Sequence, residues 1–150
     1  MRDQDGNGAG VDSLTLEYAK SFLGTPYIWG GASPGGIDCS GLIIEILASS
    51  GILKHGYDTT AQGLYSENKD DWVHPLKPLP GSLVFYGKNL LNITHVAFCL
   101  DGYRILEAGG GGSHTKTVTE AWESKAFVRI RPLNYRKDFV TYLMPIYSLA

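Results

Sequence analysis

Long apolar runs are missing from this chain of 150 residues, and so is any cluster of basic ones. No stretch reaches the ~18 consecutive apolar residues of a membrane-spanning helix, so no membrane span is expected. The formal net charge is −2 and no Lys/Arg run stands out, which removes the electrostatic case for nucleic acid or an anionic membrane as partner. Cysteine is scarce: Cys39 and Cys99 do not make a disulfide framework, and the redox compartment stays open. The opening "MRDQDGNGAGVD" lacks the apolar core of a secretory signal. Residues 1–12 are therefore expected to form a flexible lead, and residues 13–150 one domain, long enough for a sizeable core.

Glycine, in contrast, is plentiful. Nineteen are present, clustered at "WGGASPGG" and "AGGGGS", which marks loops where the backbone turns sharply or is approached closely.

The first half of the chain reads as helices. "DSLTLEYAKSFLGTP" carries Leu14, Tyr18 and Phe22 at spacing four, with Ala19 and Leu23 beside them. Asp12 or Ser13 can cap it, and Gly24 and Pro26 stop it. A second helix runs from about Cys39 to Ser50, with Gly51 at its end, and a third follows Thr60 over "AQGLYSEN". "HPLKPLP" is an extended linker, since proline removes the donors a helix needs. Beyond it "SLVFYG", "THVAFCLDG", "YRILEAG" and "AFVRIRPL" read as strands, and "KDFVTYLMPIY" as a last strand or strand-like tail. Helices first and antiparallel strands afterwards predict an α+β fold.

Cys39 stands at a helix start, after Asp38. Free N–H groups and the positive end of the dipole favour a thiolate there, and the N–H of Cys39 can face a developing oxyanion. A cysteine at such a place is also commonly buried filler, so the residue alone leaves both readings open. Cys99, inside the apolar "HVAFCL", reads as core. A nucleophilic thiol needs a base. His95 opens a strand, where rigid sheet can aim it at a helix end; His114 lies in a glycine loop and can swing toward a site; His55 and His74 look solvated. Glu107, twelve residues beyond His95 across the turn at Asp101-Gly102, returns beside the start of the His95 strand. It can orient the imidazole, or be a strand-end glutamate in solvent.

Taken together, "GTPYIWGGASPGGIDCSGLI", "GSLVFYG" and "THVAFCLDGYRILEA" resemble the NlpC-type cysteine peptidases, papain-like endopeptidases of bacterial cell-wall peptides. The tail from "GGGGSHTKTVTEAWESKAFVRIRPL" onward is similar to a subgroup encoded by bacteriophages and prophages. The resemblance implies N-terminal helices packed on a central antiparallel sheet, no cofactor, and a peptidoglycan stem peptide as substrate. It implies Cys39 as nucleophile, His95 as general base, and Tyr27 as a hydroxyl beside the oxyanion. Asp38 and Ser40 match residues lining the site for the stem peptide's amino end. The γ-D-glutamyl bond to a diamino acid is the implied target, at the cell wall or periplasm. With no accessory wall-binding domain expected, delivery falls to a phage tail or another targeting partner.

There are departures. The family's third position is most often His, and here it is Glu107; a backbone carbonyl holding His95, with Glu107 on the substrate, is the alternative. Ser82 replaces the Asp of "GDL", at the expected loss of a turn hydrogen bond. Other readings are an amidase or acyltransferase on the same fold, and a non-catalytic wall-binding or phage-tail component. A zinc site of Cys39, His95 and Glu107 lacks a recognised ligand spacing.

Overall fold

The computed structural model describes residues 10–33 and 35–147. Of the expected lead, residues 1–9 lie outside the described residues, whereas Val11 packs on the core and the Asp12 side chain accepts from Thr15 N–H at 2.8 Å. That contact caps α1 (Ser13–Lys20). A two-residue pair, β1 (Ala32–Ser33) and β2 (Gly36–Ile37), precedes α2 (Cys39–Ser49). The helix α3 (Ala61–Asn68) is capped by Thr60, as its sequence predicts.

Then come β3 (Leu83–Gly87), β4 (Ile93–Cys99) and β5 (Arg104–Gly109), followed by α4 (Val118–Ser124), β6 (Phe127–Pro132) and β7 (Phe139–Leu143). The five strands β3 to β7 form one antiparallel sheet in the order β6-β5-β4-β3-β7. The fold is α+β. Among the described residues, no helix is long and apolar enough to cross a membrane.

Packing follows from the sequence. In α2, Leu42, Ile43, Ile44, Ile46 and Leu47 are all buried, because this helix lies between the sheet and the other helices. Leu83, Phe85, Val96, Phe98 and Leu106 meet it from the sheet. The alternate residues Val84, Tyr86, Ala97, Cys99 and Ile105 form a second cluster on the far face, covered by Leu133, Tyr135 and Tyr142. Cys99 is core, as expected.

Three local expectations change. The face that α1 buries is Leu16 and Ala19, while Leu14 is 75% exposed and Tyr18 and Leu23 are also out. The helix leans mainly on α2, and Leu14 and Tyr18 border a surface depression with Ile46 and Tyr147. Ser82 does not forfeit its turn bond: its hydroxyl donates to Leu79 O at 2.7 Å and accepts from Leu79 N–H at 3.1 Å. The helix α4 is not among the elements expected from the sequence, although Thr117 with Glu120 three residues on is a capping signal. Thr117 accepts from Glu120 N–H at 3.1 Å, and Glu120 accepts from Lys116 N–H at 3.0 Å.

Candidate active site

Asp38 sets the position of Cys39. Its carboxylate caps α2 by accepting from Gly41 N–H at 2.8 Å, and the other oxygen accepts from Gly30 N–H at 2.8 Å. Asp38 N–H donates to the Gly31 carbonyl at 3.0 Å, so the preceding loop is stitched to the first helical turn. A Cβ on Gly41 would overlap the Gly31 carbonyl oxygen, which is why the loop can lie this close. Cys39 is therefore the first residue of α2, half-buried and beside the free N–H groups of the helix end.

His95 reaches the same point from the sheet. Tyr86 pairs with His95 but Gly87 pairs with Ile93, so Thr94 is an extra residue in the ladder. This bulge turns His95 to the face opposite Ile93. The β4–β5 ladder runs through Phe98–Leu106 and Cys99–Ile105, and beyond it the strands part. The start of α2 stands at the opening, where Cys39, His95, Ala108 and Gly109 line one cleft.

The imidazole Nε2–H donates to Glu107 Oε1 across 2.7 Å, which leaves Nδ1 for the thiol of Cys39. The ring of Tyr86 backs it, with centroids 5.8 Å apart. Burial opposes a charge on His95, but the hydrogen bond and negative charge at the Cys39 sulfur, and then those of the Glu107 carboxylate, outweigh it and push its pKa up to about 9.

Glu107 is fully buried. Oε1 accepts a second hydrogen bond from the Tyr135 hydroxyl, and Arg129 Nε donates to Oε2 at 3.3 Å. Arg131 Nε lies 4.0 Å from Oε2. Burial pushes toward the neutral acid, yet His95, Tyr135 and Arg129 together hold the carboxyl below the usual range. With its oxygens occupied by protein donors, Glu107 lies behind His95 and not among the residues that line the cleft. Among the described residues, no group of three His, Cys, Asp or Glu side chains is placed to hold a metal ion.

Tyr27 stands beside Cys39. Burial, and after it the charges at Cys39 and Asp38, push its hydroxyl pKa up, which keeps it a donor. The glycine loop lies on its ring: a Cβ at Gly111 would overlap Tyr27. Thr115 ties that loop down by accepting from Gly112 N–H at 3.1 Å and, through its carbonyl, from Trp29 N–H at 2.7 Å. The cleft holds about 640 Å³.

The structure thus brings Cys39, His95, Glu107 and Tyr27 together. Asp38 and Ser40 are on the cleft wall, with the Ser40 hydroxyl 3.4 Å from Asp38 Oδ1. His55, His74 and His114 are exposed. Residues that the sequence did not single out also line the cleft: Trp29, Asp58, Thr59, Tyr135 and Arg136. Asp58 and Thr59 belong to a loop held to α3 by Glu67, which accepts from Tyr57 and, at 3.0 Å, from the Thr59 hydroxyl. The residue Gly63 signalled this: a Cβ there would overlap the Thr59 hydroxyl.

The sequence model of the NlpC/P60 family matches residues 24–132, which takes in every residue just described except Tyr135 and Arg136. The chain belongs to the NlpC/P60 family. Within it, a probable endopeptidase of Mycobacterium tuberculosis is 44% identical over 59 residues, covering 38% of this chain and 15% of that protein. The peptidoglycan endopeptidase RipA of Mycolicibacterium smegmatis is 31% identical over 114 residues, 67% of this chain and 22% of RipA. This NlpC/P60 chain therefore spans less than a quarter of either relative. Among solved structures, RipD of M. tuberculosis superimposes with a TM-score of 0.62 at 23% identity, covering 88% of this chain and 94% of that one. RipD is described as a non-catalytic NlpC/p60 domain protein adapted to peptidoglycan binding.

Proposed function

We propose that this NlpC/P60 domain is a cysteine endopeptidase that hydrolyses an amide of the peptidoglycan stem peptide, the γ-D-glutamyl bond to a diamino acid. One observation carries the reading: Cys39 at the start of α2 faces an imidazole whose far nitrogen is held at 2.7 Å by a buried carboxylate. The peptidoglycan endopeptidase relatives supply the substrate class.

In this reading the Cys39 thiolate attacks the scissile carbonyl carbon while His95 holds the proton at Nδ1. The oxygen that takes up the charge is met by the Cys39 N–H and the Tyr27 hydroxyl. Collapse breaks the C–N bond, and the Nδ1 proton goes to the leaving amine. Water, deprotonated by His95, then attacks the thioester, releasing the carboxylate and restoring the thiolate–imidazolium pair. Asp38 and Ser40 line the part of the cleft that takes the amino end of the peptide. A targeting partner is proposed to deliver the domain to the wall, and the resemblance of the tail to phage-encoded peptidases makes a phage tail the first to test.

Mass spectrometry of defined stem peptides tests the reading. Incubation is expected to yield one new amine and one new carboxylate at a single bond, with Cys39→Ala inactive. The RipD likeness supports a second reading, a binding module. Peptide bound by both proteins and cleaved by neither would establish that reading and overturn the first.

A further inference from the structure

We propose that Tyr135 and Arg129 are positioning residues of this site, which fix the Glu107 carboxylate against His95 and take up part of its charge. A fully buried carboxylate is costly unless each oxygen finds a donor. His95 satisfies one lone pair of Oε1, and the rest of the demand falls on residues far along the chain. Arg129 faces Glu107 directly in the β5–β6 register and donates to Oε2. Tyr135, from the loop between β6 and β7, donates to the same Oε1 that accepts from His95.

The tyrosine is itself held. Arg131 stacks over its ring at 4.8 Å, and the Tyr86 ring, which backs His95, lies 6.4 Å away. Donors arriving from two elements pin both the plane and the rotation of the carboxyl group. Because Tyr135 shares Oε1, it also weakens the pull of that oxygen on the imidazolium proton. The Nε2 proton thereby stays on the ring, and the imidazolium gives up its Nδ1 proton to the leaving amine more readily. The direction of the Glu107 pKa agrees with this arrangement.

The kinetic consequence rests on the peptidase reading, whereas the electrostatic one does not. In Tyr135→Phe, Oε1 carries more charge and draws the His95 proton more strongly, so the titration midpoint of His95 moves up. Histidine-labelled NMR reads this without substrate, the His95 signal being assigned by its loss in His95→Gln. On stem peptide, kcat falls roughly tenfold with KM little changed, the loss expected for one hydrogen bond to a charged group. Should Tyr135→Phe fail to fold, Arg129→Met carries the same expectation, since removing a nearby cation also raises the midpoint. A His95 midpoint that is unmoved or lowered in the variant that folds overturns the inference, whatever the peptide assay shows. Cleavage absent from the unmodified protein, with the midpoint shifted as expected, overturns the peptidase reading and leaves this one standing.

Discussion

Glu107 asks the most of its surroundings, because it puts a full charge where a neutral acceptor would need one donor. The carboxylate helps His95 keep its proton, and His95, Tyr135 and Arg129 help the carboxylate stay ionised. In Glu107→Gln the amide oxygen can still accept from His95, but the NH₂ meets the donors Tyr135 and Arg129. Loss of the carboxylate lowers the pKa of His95, so the alkaline limb of kcat/KM, expected near pH 9 in the unmodified protein, moves to lower pH. The substitution should cost about 3 kcal/mol of stability, the scale for breaking a buried ion pair. A pH–rate profile and a denaturant melt of the variant check both parts; an unmoved alkaline limb would remove Glu107 from the site.

At the scale of elements, one aspartate joins the glycine loop to the nucleophile helix. Asp38→Ala removes the cap of α2 and the tie to Gly30 together. A lost cap costs about 1–2 kcal/mol, which in a domain of this size lowers Tm by roughly 3–6 °C. Asp38→Asn separates the two roles. Its oxygen can still cap Gly41, while its NH₂ cannot accept from Gly30. Most of the melting temperature should return in Asp38→Asn, with kcat/KM still roughly tenfold down because the loop beside Cys39 has shifted. Full activity in Asp38→Asn would mean that the Gly30 tie is irrelevant to the chemistry. Elements are also where the sequence is most readable: α3 starts after Thr60 and α2 at Cys39, as the sequence predicts, since each helix start is settled by bonds within three residues. The buried face of α1 is not legible in the sequence, because a spacing of four fits two stripes and packing against α2 chooses between them.

For the whole molecule, the buried pair couples stability to pH. His95 has its pKa raised from 6.5 to about 9 in the folded chain, so its contribution is complete below 6.5 and lost as pH rises through about 9. Glu107 is lowered from 4.5, so its contribution is complete above 4.5 and lost as pH falls through the lowered value. The pair therefore stabilises most between about 4.5 and 6.5. Thermal melts across pH should show Tm declining from there toward alkaline pH, with that slope flattened in His95→Gln. An equal slope in both proteins would assign it to other groups.

What the sequence determined by itself is what neighbouring residues settle: capped helix starts, alternating strands, a cysteine at a helix end, and a hairpin that returns Glu107 to His95. These rest on hydrogen bonds and periodicities spanning a turn or a hairpin. The tertiary structure alone decided how distant segments converge. Tyr135 and Arg129 meet Glu107 from 28 and 22 residues away, and they do so because β6 pairs with β5 in one register and the chain then crosses to place β7 beside β3. No local pattern encodes that crossing. It follows from burying the far face of the sheet under Leu133, Tyr135 and Tyr142, and that burial is also what brings a hydroxyl to the carboxylate behind His95.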